Sequence, residues 1–216
     1  MSSFKYLGLV LFVGILGSCQ PSRDNPVATA PGMQEMFTPD ELADLNSILL
    51  YFEGQICQLA EEGATPEECY TAFRQHIKGA EPGTDYLPLE FEAQRALLGR
   101  LHNGTQATFW NQQLVKRDDN PNGSVRTLVY QAQGKLVDFM ERLGQDYILV
   151  AQYVKGFRAV HTISPMMEQE ILNTMHLFNL QDIRVRVFLA LHFVTVNDSY
   201  KRKSNPPATI LTDTEG

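Results

Sequence analysis

Hydrophobic positions recur along this chain with a three-four spacing, the signature of helices that each bury one face. The first clear case is "FTPDELADLNSILLYFEGQICQLA", where Leu42, Leu45, Leu49, Phe52, Ile56 and Leu59 form one stripe. Its start is marked twice. Thr38 stands at an N-cap with Glu41 three residues on, and Pro39 occupies the first helical position. The same device returns in "ATPEECYTAFRQHI" with Thr65, Pro66 and Glu68, so a second helix begins at Pro66 after a short loop. "LEFEAQRALLGRLHNG" predicts a third helix with Phe91, Leu97, Leu98 and Leu101 inward, closed by Asn103-Gly104.

Beyond the polar stretch "KRDDNPNGS" at 116–124, the pattern resumes. "SVRTLVYQAQGKLVDFMERLG" keeps helical spacing at Val125, Val129, Ala132, Leu136, Phe139 or Met140, and Leu143. "DYILVAQYVKGFRAVHTI" follows with Tyr147, Val150, Val154 and Phe157, its β-branched content leaving a strand open. "SPMMEQEILNTMHLFN" is a helix capped by Ser164 with Pro165 at its first position. "QDIRVRVFLALHFVTVNDSY" is apolar nearly all round as a helix and alternates as a strand. The surrounding helices favour the helix. The expected fold is therefore all-α, an antiparallel helical bundle with an N-terminal helical hairpin. The alternative is α+β with residues 183–196 as a strand.

Cysteines extend this picture. Cys57 and Cys69 fall about one turn either side of the loop between the first two helices, level with each other. That is the short separation a disulfide needs. The third cysteine, Cys19, ends a different kind of segment. One charge, Lys5, precedes an apolar run from Tyr6 to Leu16, too short to span a bilayer that needs about 20 helical residues. The run closes in Leu16-Gly17-Ser18-Cys19, which resembles the lipobox of bacterial lipoproteins. The resemblance is confined to this leader. It implies cleavage before Cys19, acylation of its thiol and amine, and an oxidising compartment where the Cys57–Cys69 bond persists. Gln20, where an Asp often marks inner-membrane retention, directs the expectation to the outer membrane facing the periplasm.

The organisation that follows is a signal peptide at 1–18 and a lipidated flexible tether at 19–37. A single helical domain at 38–203 has a possible sub-boundary at 116–124, and a disordered tail takes 204–216. The tether expectation rests on the three prolines and small residues of "QPSRDNPVATAPGMQEM", with a reach of roughly 50 Å if extended.

Charge narrows the function. The chain carries 18 Lys and Arg against 25 Asp and Glu, and removing 1–18 takes away one lysine, for −8 in the mature chain. Such a balance speaks against a nucleic-acid or anionic-membrane surface. The one compact basic run, Lys201-Arg202-Lys203, sits where a last helix ends and suits its dipole. No zinc spacing, P-loop, nucleophile elbow or dinucleotide fingerprint is present. Trp110 reads equally as a core plug or a ligand platform. One constellation passes a geometric test: His161, Met166 or Met167, and His192 come level if the last two helices pack antiparallel about Asn179. Imidazole and thioether ligands suit copper, although a core stripe explains Met167 and His192 as well. The expected function is a non-enzymatic lipoprotein, anchored through Cys19, that docks another envelope protein without a cofactor. The alternative is a periplasmic copper or small-ligand binder using His161, Met167 and His192. An enzyme would need a catalytic set the sequence does not display.

Overall fold

The computed structural model describes residues 25–81, 86–117, 120 and 122–204. Cys19, the signal segment and the expected tail after Ser204 lie outside the described residues. The fold is mainly helical, and the disulfide-stapled hairpin is present. At its centre runs α10 (Ile183–Ser204), a helix. Val185, Val187 to Thr195 and Val196 are all buried, so no face is left for solvent. A segment apolar on every side must be surrounded, and here it is.

Around α10 pack α3 (Pro39–Ile56), α5 (Phe91–Leu98), α7 (Lys135–Leu143) and a β-hairpin. The expected stripe of α3 is its buried face: Leu42, Leu45, Leu49, Phe52 and Ile56 are all in the core, with Ile48 beside them. Phe52 stacks on Phe193 of α10 at 5.7 Å, and Phe73 of α4 (Pro66–His76) meets the same ring edge-on at 4.9 Å. Both expected capping boxes form, Thr38 with Glu41 and Thr65 with Glu68, each with proline in the first turn. Glu53 of α3 clamps Arg186 of α10 through two bonds of 2.6 Å each, and Tyr70 donates to Glu53 from α4.

Three expectations are corrected. Residues 124–130 are a strand, not the start of a helix. β1 (Trp110–Lys116) pairs antiparallel with β2 (Ser124–Tyr130) in the register Trp110↔Tyr130 to Lys116↔Ser124. The apolar spacing at Val125 and Val129 fits both periods. The β-branched run Val125, Thr127, Val129 and a strand partner at 110–116 decide for the sheet. Helix α7 starts only at Lys135, after Gly134 has let the chain turn against the Thr108 carbonyl, where a Cβ would sit 3.1 Å away. The stretch 116–124 joins the two strands of this hairpin, and one continuous core spans both sides of it.

The second correction concerns the tether. From Asn25 onward the chain is folded onto the body, through α1 (Pro26–Thr29) and α2 (Met33–Met36). Asn25 caps α1 and donates to the Leu42 carbonyl, and Val27, Ala30, Met33 and Phe37 are buried. Pro26 sets a helix start and Pro31 a turn instead of an extended path, because the apolar residues around them have a core to enter. The third is smaller. α5 stops at Leu98, and Gly104, with φ +93°, precedes the short α6 (Thr105–Phe109) instead of closing the earlier helix. The remaining helices are α8 (Ile148–Val160) and α9 (Pro165–Thr174), with 3-10 turns at Cys57–Leu59 and Met175–Leu177. None of the described helices is long and apolar enough to cross a membrane.

Candidate functional site

Cys57 and Cys69 are joined, their Cα atoms 4.5 Å apart across the loop between α3 and α4. Cys69 is fully buried, so the bond staples the outer helix to the core. The His/Met constellation is arranged otherwise than expected. His161 is exposed, capping the C-terminus of α8 at φ 55°. Met167 packs toward Gly156 of α8, while Met166 points to solvent. His192 is fully buried, with Tyr153 and Phe193 rings against it. The register explains the divergence. The residue of α9 next to Met167, Glu168, bonds to Tyr200 of α10, eight residues past His192. Eight residues are about 12 Å along a helix axis. The connection through residues 175–182 thus sets α9 level with the end of α10, not with its middle. Among the described residues no group of three or more His, Cys, Asp or Glu is placed to hold a metal ion.

The same register creates a site the sequence reading did not contain. Glu168 lies on α9 with Ser164 capping the helix, and it is 2 % exposed. Tyr86 donates to its Oε1 at 2.5 Å and Tyr200 donates to its Oε2. Over this carboxylate opens a cavity of about 120 Å³. Gln113, Val115 and Thr127 of the hairpin form one wall, Ile163 and Pro165 another, and Tyr200 a third. Lys203 stands over the Tyr200 ring at 5.7 Å. Burial, and next the Glu168 charge, push the Tyr86 hydroxyl far above its ordinary value, so it stays a proton donor to the carboxylate.

Behind the cavity a chain of buried polar groups crosses the core. Trp110 Nε1 donates to Thr195 Oγ1 at 2.9 Å, and Thr195 donates to the Leu191 carbonyl at 2.8 Å. Trp110 is therefore a core plug. The Tyr153 hydroxyl lies 3.0 Å from His192 Nδ1. Burial drives His192 down to about 3, which fixes the ring neutral. Among the described residues its Nε2 is buried without a hydrogen-bond partner. Burial also raises Tyr130 and Tyr153, whose hydroxyls interact. One further carboxylate works the same way: Asp198, fully buried, accepts from Leu128 N and Arg202 Nε at 2.8 Å each, tying β2 to α10.

Chemically, these groups hold and shape. Thr195 has both its donor and its acceptor engaged, and His192 sits behind Tyr153 with no acidic proton at neutral pH. Glu168 is gripped by two phenols from two other segments. A sequence signal for it did exist: Glu168 shares the apolar stripe with Ile171 and Met175, at i, i+3 and i+7. A carboxylate on a buried stripe needs donors, and tyrosines supply them. Compared with protein-family models, curated proteins and solved structures, the chain matches none.

Proposed function

We propose that this chain is an exported lipoprotein, anchored through acylated Cys19 to the bacterial outer membrane on its periplasmic side. Its helical domain binds another envelope protein and performs no catalysis. The observation that carries the reading is the division of the three cysteines. Cys57 and Cys69 form a disulfide, which persists in an oxidising compartment, and Cys19 stands alone at the end of a lipobox-like segment. The buried ionisable groups support a binding role, since Glu168, Asp198 and the Glu53–Arg186 pair each join separate segments of the body. A rigid, stapled body carrying half-open surface cavities is suited to docking.

The anchor and the fold together limit where docking happens. Six residue steps separate Cys19 from Asn25, which is tied to the folded body through Leu42. Whatever their conformation, six steps span at most about 20 Å. A body of this size has a radius of gyration of roughly 16 Å, so it rides close to the membrane instead of far above it.

Fractionation of cells expressing Cys19→Ser is the test. The protein should leave the membrane fraction for the soluble periplasm, and metabolic labelling with a fatty acid should disappear. In-cell crosslinking of the unaltered protein should yield one dominant envelope partner. Unchanged fractionation of the serine variant defeats the anchor, and the absence of any crosslinked partner defeats the docking role.

A further inference from the structure

Helices α4 and α9 leave a trench between them. Its walls are two helical faces. One is Glu67, Tyr70, Thr71, Arg74 and Lys78, a three-four series running along α4 and just past its end. The other is Gln169, Leu172, Asn173 and His176, the corresponding series on α9 and the turn after it. Two cavities of about 450 and 310 Å³ share Arg74 and make the trench continuous. Ile77, Met175 and Phe178, all buried, give it an apolar floor.

Its charge is opposite to that of the chain. Arg74 and Lys78 line the larger cavity together with the amides of Gln75, Gln169 and Asn173, and among the described residues no carboxylate lines it. Among the described residues, neither cation forms an ion pair or hydrogen bond. Glu67, at the far end, is held by Gln181 at 2.9 Å. Cations at the end of α4 also complement its dipole, which accounts for their place on the helix. The dipole does not account for a facing wall of neutral amides.

Resting on the docking role proposed above, we infer that this trench receives an acidic segment of the partner protein, with carboxylates alternating with apolar side chains. The carboxylates meet Arg74 and Lys78, the amides bond the remaining oxygens, and the apolar side chains reach the floor. From Glu67 to Lys78 the wall is about 16 Å long, room for two to three helical turns of a partner. A net-acidic protein repels acidic partners except at such a strip, so the trench also fixes register.

The experiment uses the purified full-length lipoprotein in detergent and a fluorescent synthetic peptide of three helical turns, Glu and Leu at three-four spacing. A matched peptide with Lys in place of Glu is the comparison. Anisotropy should show saturable binding of the acidic peptide alone. Raising salt from about 50 to 500 mM should weaken it, since these charges are screened. Arg74→Glu with Lys78→Glu should raise Kd at least about tenfold, with Arg74→Gln and Lys78→Gln intermediate. Lys155→Glu, an exposed site on α8 outside the trench, should leave Kd unchanged. Circular dichroism melts check that each variant is folded, and the glutamine pair keeps the test alive should the glutamate pair unfold. Equal binding of the lysine peptide, or of the acidic peptide to the glutamate variant, overturns the inference. So does trench-dependent binding of phosphatidylglycerol vesicles without peptide binding, which would assign the strip to a membrane. If peptide binding fails while in-cell crosslinking still captures a partner, this inference alone falls and the docking role stands.

Discussion

At the scale of single residues, the most consequential side chain is Glu168, because it is nearly excluded from water and two tyrosine hydroxyls depend on it. Removing an acceptor strands its donors, and each stranded buried hydroxyl costs more than the bond itself was worth. Glu168→Ala should therefore lower stability by about 2–4 kcal/mol in urea unfolding, and Glu168→Gln, which keeps one acceptor, by less. A midpoint for the alanine variant indistinguishable from the parent would show that the tyrosines do not rely on it. His192 gives a different readout. Its folded pKa of about 3 lies below the ordinary 6.5, so the unfolded chain takes up a proton that the native one refuses. The contribution is intact above pH 6.5 and is lost as pH falls from 6.5 toward 3, by up to about 1.4 kcal/mol per pH unit. His192→Phe should flatten the acid limb of the stability profile, whatever it does to stability at pH 7. An acid slope equally steep in both proteins would mean that carboxylates such as Glu41 and Asp182, which also lose their native advantage in acid, account for all of it.

Secondary-structure elements show where the sequence could be read and where it could not. The starts of α3, α4 and α9 were legible because caps are local chemistry: Thr38, Thr65 and Ser164 each satisfy a backbone N–H three residues on. The disulfide was legible for the same reason, its two cysteines being brought level by a loop of known length. The hairpin was not, since Val125 and Val129 satisfy a period of two as well as one of 3.6, and the β-branched run decides for the sheet together with a partner strand at 110–116. The register of α9 against α10 was also hidden. It depends on how residues 175–182 turn, and that turn brings Glu168 to Tyr200, eight residues past His192. The staple invites a direct test. With the cysteines 12 positions apart, closing that loop stabilises by about 3 kcal/mol in the chain-entropy model. Cys57 and Cys69 should resist alkylation in exported protein until a reductant is added, and reduction should lower the urea midpoint accordingly. Free thiols in unreduced exported material would contradict the bond.

For the whole molecule, the decisive quantity under the proposed anchoring is the distance from an acylated Cys19 to the body. A tether through residue 36 would have let the domain search outward over tens of ångströms. With α1 and α2 packed onto the core, Val27 and Met33 almost wholly buried, the body lies within six residue steps of Cys19. The partner proposed for the trench on α4 and α9 would then be met near the membrane surface. Lengthening the path separates anchoring from positioning. Inserting about 20 Gly and Ser residues after Asp24 adds a chain with an r.m.s. span near 25 Å and leaves the folded body untouched. The inserted protein should remain in the membrane fraction, keep its melting temperature, and lose most of its in-cell crosslinking to the partner. The same insertion placed in the purified peptide assay should leave Kd where it was, because the trench itself is unchanged. Should crosslinking survive the insertion at full yield, the partner reaches the domain at any height, and the close seating of the body on the membrane has no part in its work.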